Sequence, residues 1–180
     1  STMDYGDNME HVKRMAETAH SFGASIEAEL GHVGDNEGGS AEGSSPGSEP
    51  SQFYTDPVQA RDFIDRTGAD ALAIAVGTAH GAYKLPPKLD FDRIVKIKEL
   101  TGLPLVMHGG SGISVADTQR AIRCGIRKIN YFSYMSNAGV KAVKKLLEEK
   151  EVKYFHDLAN AAVDAMEQDV LNAMSMFALE

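Results

Sequence analysis

The hydrophobic pattern of the chain alternates between amphipathic helical segments and short apolar stretches. Four times, an amphipathic segment runs to a glycine and a short apolar, partly β-branched stretch follows. A glycine just past a helix supplies the left-handed residue with which helices often end. The predicted helices cover residues 11–22, 57–66, 91–100 and 115–124. The apolar stretches predict strands over residues 24–30, 69–76, 103–107 and 126–129.

Capping residues mark the starts of three of these helices. Asp56 followed by Pro57 places a cap and then a proline at the first helical position. Asp90 precedes the next helix, and Ser114 with Asp117 forms a capping box before the last one. The local sequence therefore predicts these helix starts independently of the hydrophobic pattern.

The order of the elements predicts an α/β fold with a parallel sheet built from successive βα units. A (β/α)8 barrel and an open doubly wound sheet both satisfy this order. Each predicted strand runs directly into a polar cluster, at residues 29–31, 77–81, 108–112 and 130–133. A barrel brings chemistry to the same end of several strands, whereas an open sheet concentrates it at one switch point. We therefore favour the barrel.

Two segments depart from this alternation. Residues 32–52 are rich in glycine and serine and almost free of apolar groups, which predicts a mobile loop. After the last strand, residues 134–150 are typical of an amphipathic helix, and residues 155–177 predict a further helix with a methionine-rich face. Such a face favours packing or subunit contact over a ligand groove.

Composition narrows the class of protein. The chain has 180 residues, 43% of them apolar, so it can form a core without disulfides. The single cysteine, Cys124, favours a reducing compartment, and we expect a cytoplasmic protein. No signal peptide is visible, and no apolar run approaches the ~20 residues of a membrane span. The net charge of −8 argues against nucleic-acid and anionic-membrane partners, so an anionic substrate needs a locally attractive site.

Two histidines suggest half of a metal site. His80 and His108 each follow an apolar strand, and the two strands are neighbours in the predicted barrel. Catalytic zinc commonly has three protein ligands and an open fourth position. Glu29 ends an earlier strand, and Glu27 points to the same side because strand side chains alternate. We interpret Glu29 as a metal ligand and Glu27 as a salt-bridge partner; the alternative for each histidine is a hydrogen bond at a strand end.

A glycine-rich turn follows His108 and leads into a predicted helix. Its backbone amides and the hydroxyl of Ser111 can hold a phosphate, although the glycines could instead serve tight packing. Asn130 and Ser133, after the next strand, would complete such a phosphate site. Lys84 is a candidate counter-charge, with a solvated lysine as its simpler interpretation.

Five motifs carry a resemblance to a known family. They are Glu-Ala-Glu-Leu-Gly at 27–31, Gly-Thr-Ala-His-Gly-Ala-Tyr-Lys at 77–84, Pro-Lys-Leu-Asp-Phe at 87–91, Pro-Leu-Val-Met-His-Gly-Gly-Ser-Gly at 104–112 and Lys-Ile-Asn at 128–130. In this order and spacing they resemble the class II, zinc-dependent aldolases of fructose and tagatose bisphosphate. The resemblance runs from residue 1 to about residue 150 and implies reversible cleavage of a ketose bisphosphate into dihydroxyacetone phosphate and an aldehyde.

The resemblance also implies roles for individual residues. It makes His80 and His108 zinc ligands and Glu29 a carboxylate at an alternative zinc position. The loops that bind phosphate and a monovalent cation (Na⁺ or K⁺) correspond to Gly81, Gly109, Gly110 and Ser111. Asn130 matches an asparagine that contacts the substrate, and Ser133 stands where a phosphate-binding threonine is usual. Glu37 aligns with an acidic residue of the mobile loop that assists proton transfer.

The resemblance further implies how the chain is organised. It implies barrel strands four to eight over residues 1–150, with Ser1-Thr2-Met3-Asp4-Tyr5-Gly6 in the fourth strand, and a C-terminal helical extension over residues 151–180. The family's His-x-Asp-His motif has no match in the sequence. We therefore expect the chain to need a missing N-terminal barrel segment or a companion chain for aldolase activity, and we expect a homo-oligomer.

Two other functions stay open at this point. One is a non-catalytic partial barrel that binds a metal or a phosphosugar, and the other is a different metal-dependent barrel enzyme, such as an isomerase. Phe132 stands where the family has a small or acidic residue, which bears on the choice of ketose phosphate.

Overall fold

The computed structural model describes residues 3–35, 54–80 and 87–178. Its helices are α1 (Tyr5–Ser21), α2 (Pro57–Thr67), α3 (Phe91–Thr101), α4 (Val115–Cys124), α5 (Ser133–Glu149) and α6 (Phe155–Phe177). Its strands are β1 (Glu27–Leu30), β2 (Gly34–Asp35), β3 (Ala71–Ile74), β4 (Ala79–His80), β5 (Leu105–Met107) and β6 (Ile126–Ile129). None of the helices in these ranges is long and apolar enough to cross a membrane.

The chain divides into two compact units, Ser1–Asn130 and Tyr131–Glu180. The second unit pairs α5 with α6, where a Cβ atom added to Gly139 would lie 3.0 Å from the Met166 sulfur. The Tyr131 hydroxyl donates a hydrogen bond of 2.7 Å to Asp169, and its pKa is raised, first by burial and then by that carboxylate. The division between the two units therefore falls before α5.

The first unit contains a parallel sheet of four strands in the order β1-β3-β5-β6. This confirms the α/β fold with a parallel sheet, and it is consistent with part of a barrel. The core lies between this sheet and its helices. Its largest fully buried side chains are those of Phe63, Leu72, Ile74, Ile94, Ile97, Leu105, Met107 and Ile126.

The N-terminal segment differs from the prediction. Tyr5 and Gly6 are the first residues of α1, so within the described residues the implied strand at the N-terminus is wrong; Ser1 and Thr2 lie outside them. The Tyr5 hydroxyl donates to Asp62 at 2.8 Å, and its ring lies 6.0 Å from the Phe63 ring. These contacts dock the start of α1 onto α2, and they depend on residues more than fifty positions away, which a local pattern cannot reveal.

A second, two-stranded sheet was not predicted. Gly34 of β2 pairs with Ala79 of β4, and Asp35 pairs with His80, in a parallel arrangement. Val33 is buried beside this pair. The first residues of the predicted mobile loop are thus part of the folded unit, whereas residues 36–52 lie outside the described residues.

Thr55 links the end of β1 to the end of β3 by hydrogen bonds. Its buried hydroxyl donates to the Leu30 carbonyl and accepts from the Ala75 amide, and Gly31 leaves room for it. A Thr55→Val substitution keeps the shape of the side chain but removes both hydrogen bonds. We expect it to lower the free energy of unfolding by about 2 kcal/mol or more, because buried groups would lose their partners.

Urea denaturation of the purified protein measures this loss. Thr18→Val is the matched control, since Thr18 is exposed and its hydroxyl bonds only within α1, to the Arg14 carbonyl at 2.9 Å. We expect the control to change the unfolding free energy by less than about 0.5 kcal/mol. Equal losses in the two variants would contradict the role assigned to Thr55.

Candidate functional site

One imidazole and two carboxylates meet on one face of the sheet. Glu27 and Glu29 lie on β1, and His108 follows β5 directly. The His108 Nδ1 atom lies 3.1 Å from the Glu29 Oε2 atom, and its Nε2 atom lies 3.4 Å from the Glu27 Oε1 atom. On the far strand β6, the Lys128 Nζ atom lies 2.8 Å from the Glu27 Oε2 atom. The cluster therefore spans the whole four-stranded sheet.

Small side chains on β3 make this contact possible. Strand β3 lies between β1 and β5, and its Ala71 and Ala73 pair with Glu27 and Glu29. Paired residues of parallel strands point to the same face, so a larger residue at either alanine would stand between the glutamates and His108. The two alanine side chains leave the space in which the β1 carboxylates reach across to His108.

The electrostatics of the cluster follow from these contacts. The pKa of Glu29 is lowered, chiefly by the hydrogen bond to His108, against the opposing effect of burial. The pKa of His108 is raised, chiefly by the hydrogen bond to Glu29, against burial and with a further contribution from Glu27. The Glu29 backbone carbonyl accepts a hydrogen bond of 2.9 Å from the buried Asn8 side chain, which ties this end of β1 to α1. The site thus combines a firmly ionised carboxylate with a basic imidazole.

The backbone of Ala79, which precedes His80, lies against the backbone of Gly109, which follows His108. Gly109 has a φ of +66°, and a Cβ atom there would overlap the Ala79 carbonyl oxygen. Ala79 immediately precedes His80, and Gly109 immediately follows His108. The contact therefore brings together the backbones next to the two predicted zinc ligands. The structure describes His80 only as a residue of β4, and its side chain lies outside the described part of the chain.

The glycine-rich turn after His108 is held by hydrogen bonds to β6. The Gly110 amide donates to the Asn130 carbonyl at 3.1 Å, and the Asn130 amide donates to the Met107 carbonyl at 3.0 Å. Ser111 is buried, with 3% of its surface exposed. The Gly110 amide is therefore engaged by Asn130, and a side chain at Gly110 would overlap Ile129. Packing against Ile129 explains why position 110 is a glycine. Ser111 lies in the same turn.

The sequence as a whole matches one protein family. Over residues 1–180 it matches the family described as fructose-bisphosphate aldolase class-II. The chain belongs to this aldolase family.

Solved structures agree with this membership. The YdjI aldolase from Escherichia coli K12 is 33% identical, with a TM-score of 0.81, over 99% of this chain and 58% of that chain. A protein from Coccidioides immitis described as a fructose-1,6-biphosphate aldolase is 25% identical, with a TM-score of 0.79, over 97% and 59% of the two chains. The fructose-bisphosphate aldolase from Campylobacter jejuni, at 20% identity and a TM-score of 0.75 over 98% and 58%, shows the shared fold. This chain thus spans less than two thirds of the length of the aldolases it matches.

The donor atoms at His108 and Glu29 suit the zinc of a class II aldolase. Two ligands of a tetrahedral zinc ion, each at its usual distance, lie about 3.4 Å apart. The observed 3.1 Å between His108 Nδ1 and Glu29 Oε2 is close to that separation. Among the residues that the structure describes, no three histidine, cysteine, aspartate or glutamate side chains form a complete metal site. These residues therefore fit two ligand positions, and a third ligand is still needed.

The other predicted aldolase residues lie in the first unit, in the second unit or outside the described residues. Asn130 is exposed at the end of β6. Ser133 is the first residue of α5 and belongs to the second unit, as does Phe132, which is 61% exposed. Three further predicted site residues lie outside the described residues, namely Glu37, Gly81 and Lys84.

Lys128 is a residue of the site that was not predicted from the sequence. The signal was present, since Lys128 begins the Lys-Ile-Asn motif and lies two positions before Asn130. Glu27 makes the salt bridge predicted for it, but that prediction named no partner. The partner depends on strand order, because Lys128 and Glu27 lie on the two edge strands of the sheet.

Proposed function

We propose that this chain supplies part of the site of a zinc-dependent aldolase that reversibly cleaves a ketose phosphate or bisphosphate into dihydroxyacetone phosphate and an aldehyde. The observation that carries this proposal is the contact of His108 with Glu29 at 3.1 Å, in a chain of the class II aldolase family. We further propose that the four-stranded sheet is part of a (β/α)8 barrel, whose other strands come from elsewhere in the polypeptide or from a companion chain.

In this proposal His108, His80 and Glu29 hold the zinc ion. Zinc at this position would act as a Lewis acid on the substrate ketone. The ionised Glu29 and the neutral form of His108 supply negative charge and a nitrogen lone pair, the donors that zinc binds. The touching backbones of Ala79 and Gly109 keep the two histidine-bearing loops together.

The phosphate group would bind in the turn after His108. Its ligands in this proposal are the Ser111 hydroxyl and backbone amides of the turns at Gly109 and Gly81, with Lys84 as a counter-charge and a bound Na⁺ or K⁺. The phosphate-binding role of Ser133, in the second unit, stays a prediction. Because the chain as a whole carries a charge of −8, such local donors are needed to attract a phosphorylated sugar. Asn130 would orient the substrate, and Glu37 would assist proton transfer. We also propose a cytoplasmic homo-oligomer.

The test is zinc-dependent cleavage of fructose and tagatose bisphosphates by the purified protein, at the full length that its gene encodes. We expect turnover that a chelator abolishes and that added zinc restores. In the His108→Ala variant, kcat/KM should fall by about 10³-fold or more, because Lewis-acid stabilisation is worth several kcal/mol. His11→Ala, on the exposed face of α1, is the control and should retain activity.

Two outcomes would count against this function. Tight zinc binding without cleavage of either substrate would favour the non-catalytic alternative, a protein that binds a metal or a phosphosugar. Turnover that survives complete removal of zinc would exclude the proposed role of His108 and Glu29.

A further inference from the structure

Both ring nitrogens of His108 face a carboxylate. Nδ1 lies 3.1 Å from Glu29 Oε2, and Nε2 lies 3.4 Å from Glu27 Oε1. A neutral imidazole carries only one N–H, so it can donate to only one of these two carboxylates. A histidine that binds a metal presents the lone pair of one ring nitrogen to the ion. Its proton then lies on the other ring nitrogen, which can donate a hydrogen bond. The two glutamates therefore have different roles once a metal is bound.

We propose that Glu27 is a positioning residue that accepts the Nε2–H of neutral His108 and so leaves the Nδ1 lone pair available for the zinc ion. This inference rests on the proposed zinc site at His108 and Glu29. It assigns Glu27 no contact with the metal or the substrate. A carboxylate behind a metal-bound histidine is a recurrent arrangement, because it sets the tautomer and the ring orientation.

Lys128 holds Glu27 in this position. The Lys128 Nζ atom lies 2.8 Å from Glu27 Oε2, whereas Glu27 Oε1 faces His108. Each oxygen of the carboxylate thus has its own partner, which limits rotation of the side chain. The Lys128 side chain is 55% exposed, so its effect is smaller than that of Glu27, because solvent screens the ion pair. The positioning chain therefore runs from Lys128 through Glu27 to His108.

The first test measures the tautomer of His108 in the metal-free protein, at a pH at which its ring is neutral. The ¹⁵N chemical shifts of the two ring nitrogens distinguish the two tautomers. Without a metal, Nδ1–H can also donate to Glu29 at 3.1 Å, so we expect both tautomers in the unaltered protein and in Glu27→Gln, whose side-chain oxygen still accepts a hydrogen bond from Nε2–H. In Glu27→Leu, which has no acceptor, we expect the Nδ1–H form facing Glu29 to increase. A ratio of the two tautomers that is the same in all three proteins would overturn the proposal.

The second test measures zinc affinity by competition with a chromophoric chelator. Loss of a carboxylate behind a metal-bound histidine should weaken zinc binding by about 10- to 100-fold in Glu27→Leu. Glu27→Gln should recover part of this loss, Lys128→Met should weaken binding less than Glu27→Leu, and Lys128→Arg should retain it. Lys145→Met, in a surface ion pair within α5, is the control and should leave zinc affinity unchanged.

The outcomes separate this inference from the proposed function. Unchanged zinc affinity in Glu27→Leu would overturn the inference while leaving the zinc site intact. Failure of the unaltered protein to bind zinc would instead overturn the proposed function. The metal-free tautomer would still decide whether Glu27 orients His108.

Discussion

Replacing Gly109 with alanine is expected to lower the free energy of unfolding by about 3 kcal/mol or more. Gly109 has a φ of +66°, a conformation that costs other residues about 1–2 kcal/mol. The added methyl group would also overlap the carbonyl oxygen of Ala79, and it would lie 2.6 Å from the Ala79 carbonyl carbon. The obstacle is backbone, which cannot rotate away, so relief requires movement of β4 or of the turn after β5.

Gly102→Ala is the matched control for this prediction. Gly102 has a φ of +71°, and apart from its neighbours along the chain no heavy atom lies within 4 Å of the position that its added methyl group would take. We therefore expect a loss of about 1–2 kcal/mol, from the backbone conformation alone. Urea denaturation of both variants separates the conformational contribution from the steric one. Equal losses would show that Ala79 and Gly109 do not approach each other as closely as the structure indicates.

The same variant connects stability with the proposed zinc site. Any shift that relieves the overlap moves the residue before His80 or the residue after His108. We therefore expect Gly109→Ala to weaken zinc binding as well, whereas Gly102→Ala should not. Measuring both properties on the same two proteins shows whether the backbone contact serves the site as well as the fold.

Replacing Phe63 with alanine is expected to lower the free energy of unfolding by about 3–5 kcal/mol. Phe63 lies on α2 and is fully buried, with 0% of its surface exposed. Its ring belongs to the core cluster and lies 6.0 Å from the ring of Tyr5 on α1. Truncation would remove apolar contacts and leave a cavity beside the sheet, which the close-packed surroundings can fill only in part.

Phe22→Ala makes the same chemical change at an exposed position. Phe22 follows α1 and is 83% exposed. We expect its substitution to change the unfolding free energy by less than about 0.5 kcal/mol. Chemical denaturation of the two variants under identical conditions is the measurement. A loss below about 1 kcal/mol in Phe63→Ala would contradict the position of Phe63 in the core.

The helix boundaries were largely predictable because their signals are local. The Asp56 side chain accepts hydrogen bonds from the amides of Val58 and Gln59, as its place before Pro57 predicted. The Asp117 amide donates to the Ser114 hydroxyl at 3.1 Å, as the predicted cap requires, and that hydroxyl donates to the Asp117 carboxylate at 2.8 Å. The helix Val115–Cys124 has its predicted bounds. Each of these features involves residues no more than a turn apart, so the sequence contains the whole interaction.

Part of the candidate site was predictable for a related reason. The two-residue repeat of a strand put Glu27 and Glu29 on one side, and the βα order put His108 at the same end of the sheet. The contact of His108 with Glu29 at 3.1 Å agrees with that reasoning. Periodicity and element order are properties of the sequence itself, so they indicate which side chains share a face.

Other features were decided by the tertiary structure. The pairing of Lys128 with Glu27 joins residues about one hundred positions apart, and it depends on the order β1-β3-β5-β6 and on the alanines of β3. The pairing of β2 with β4 and the docking of Tyr5 onto α2 likewise need partners that are distant in sequence. Hydrophobic periodicity identifies the buried face of an element but not the residue that it will meet there. That choice is made by strand register and by packing volume, which exist only once the chain has folded.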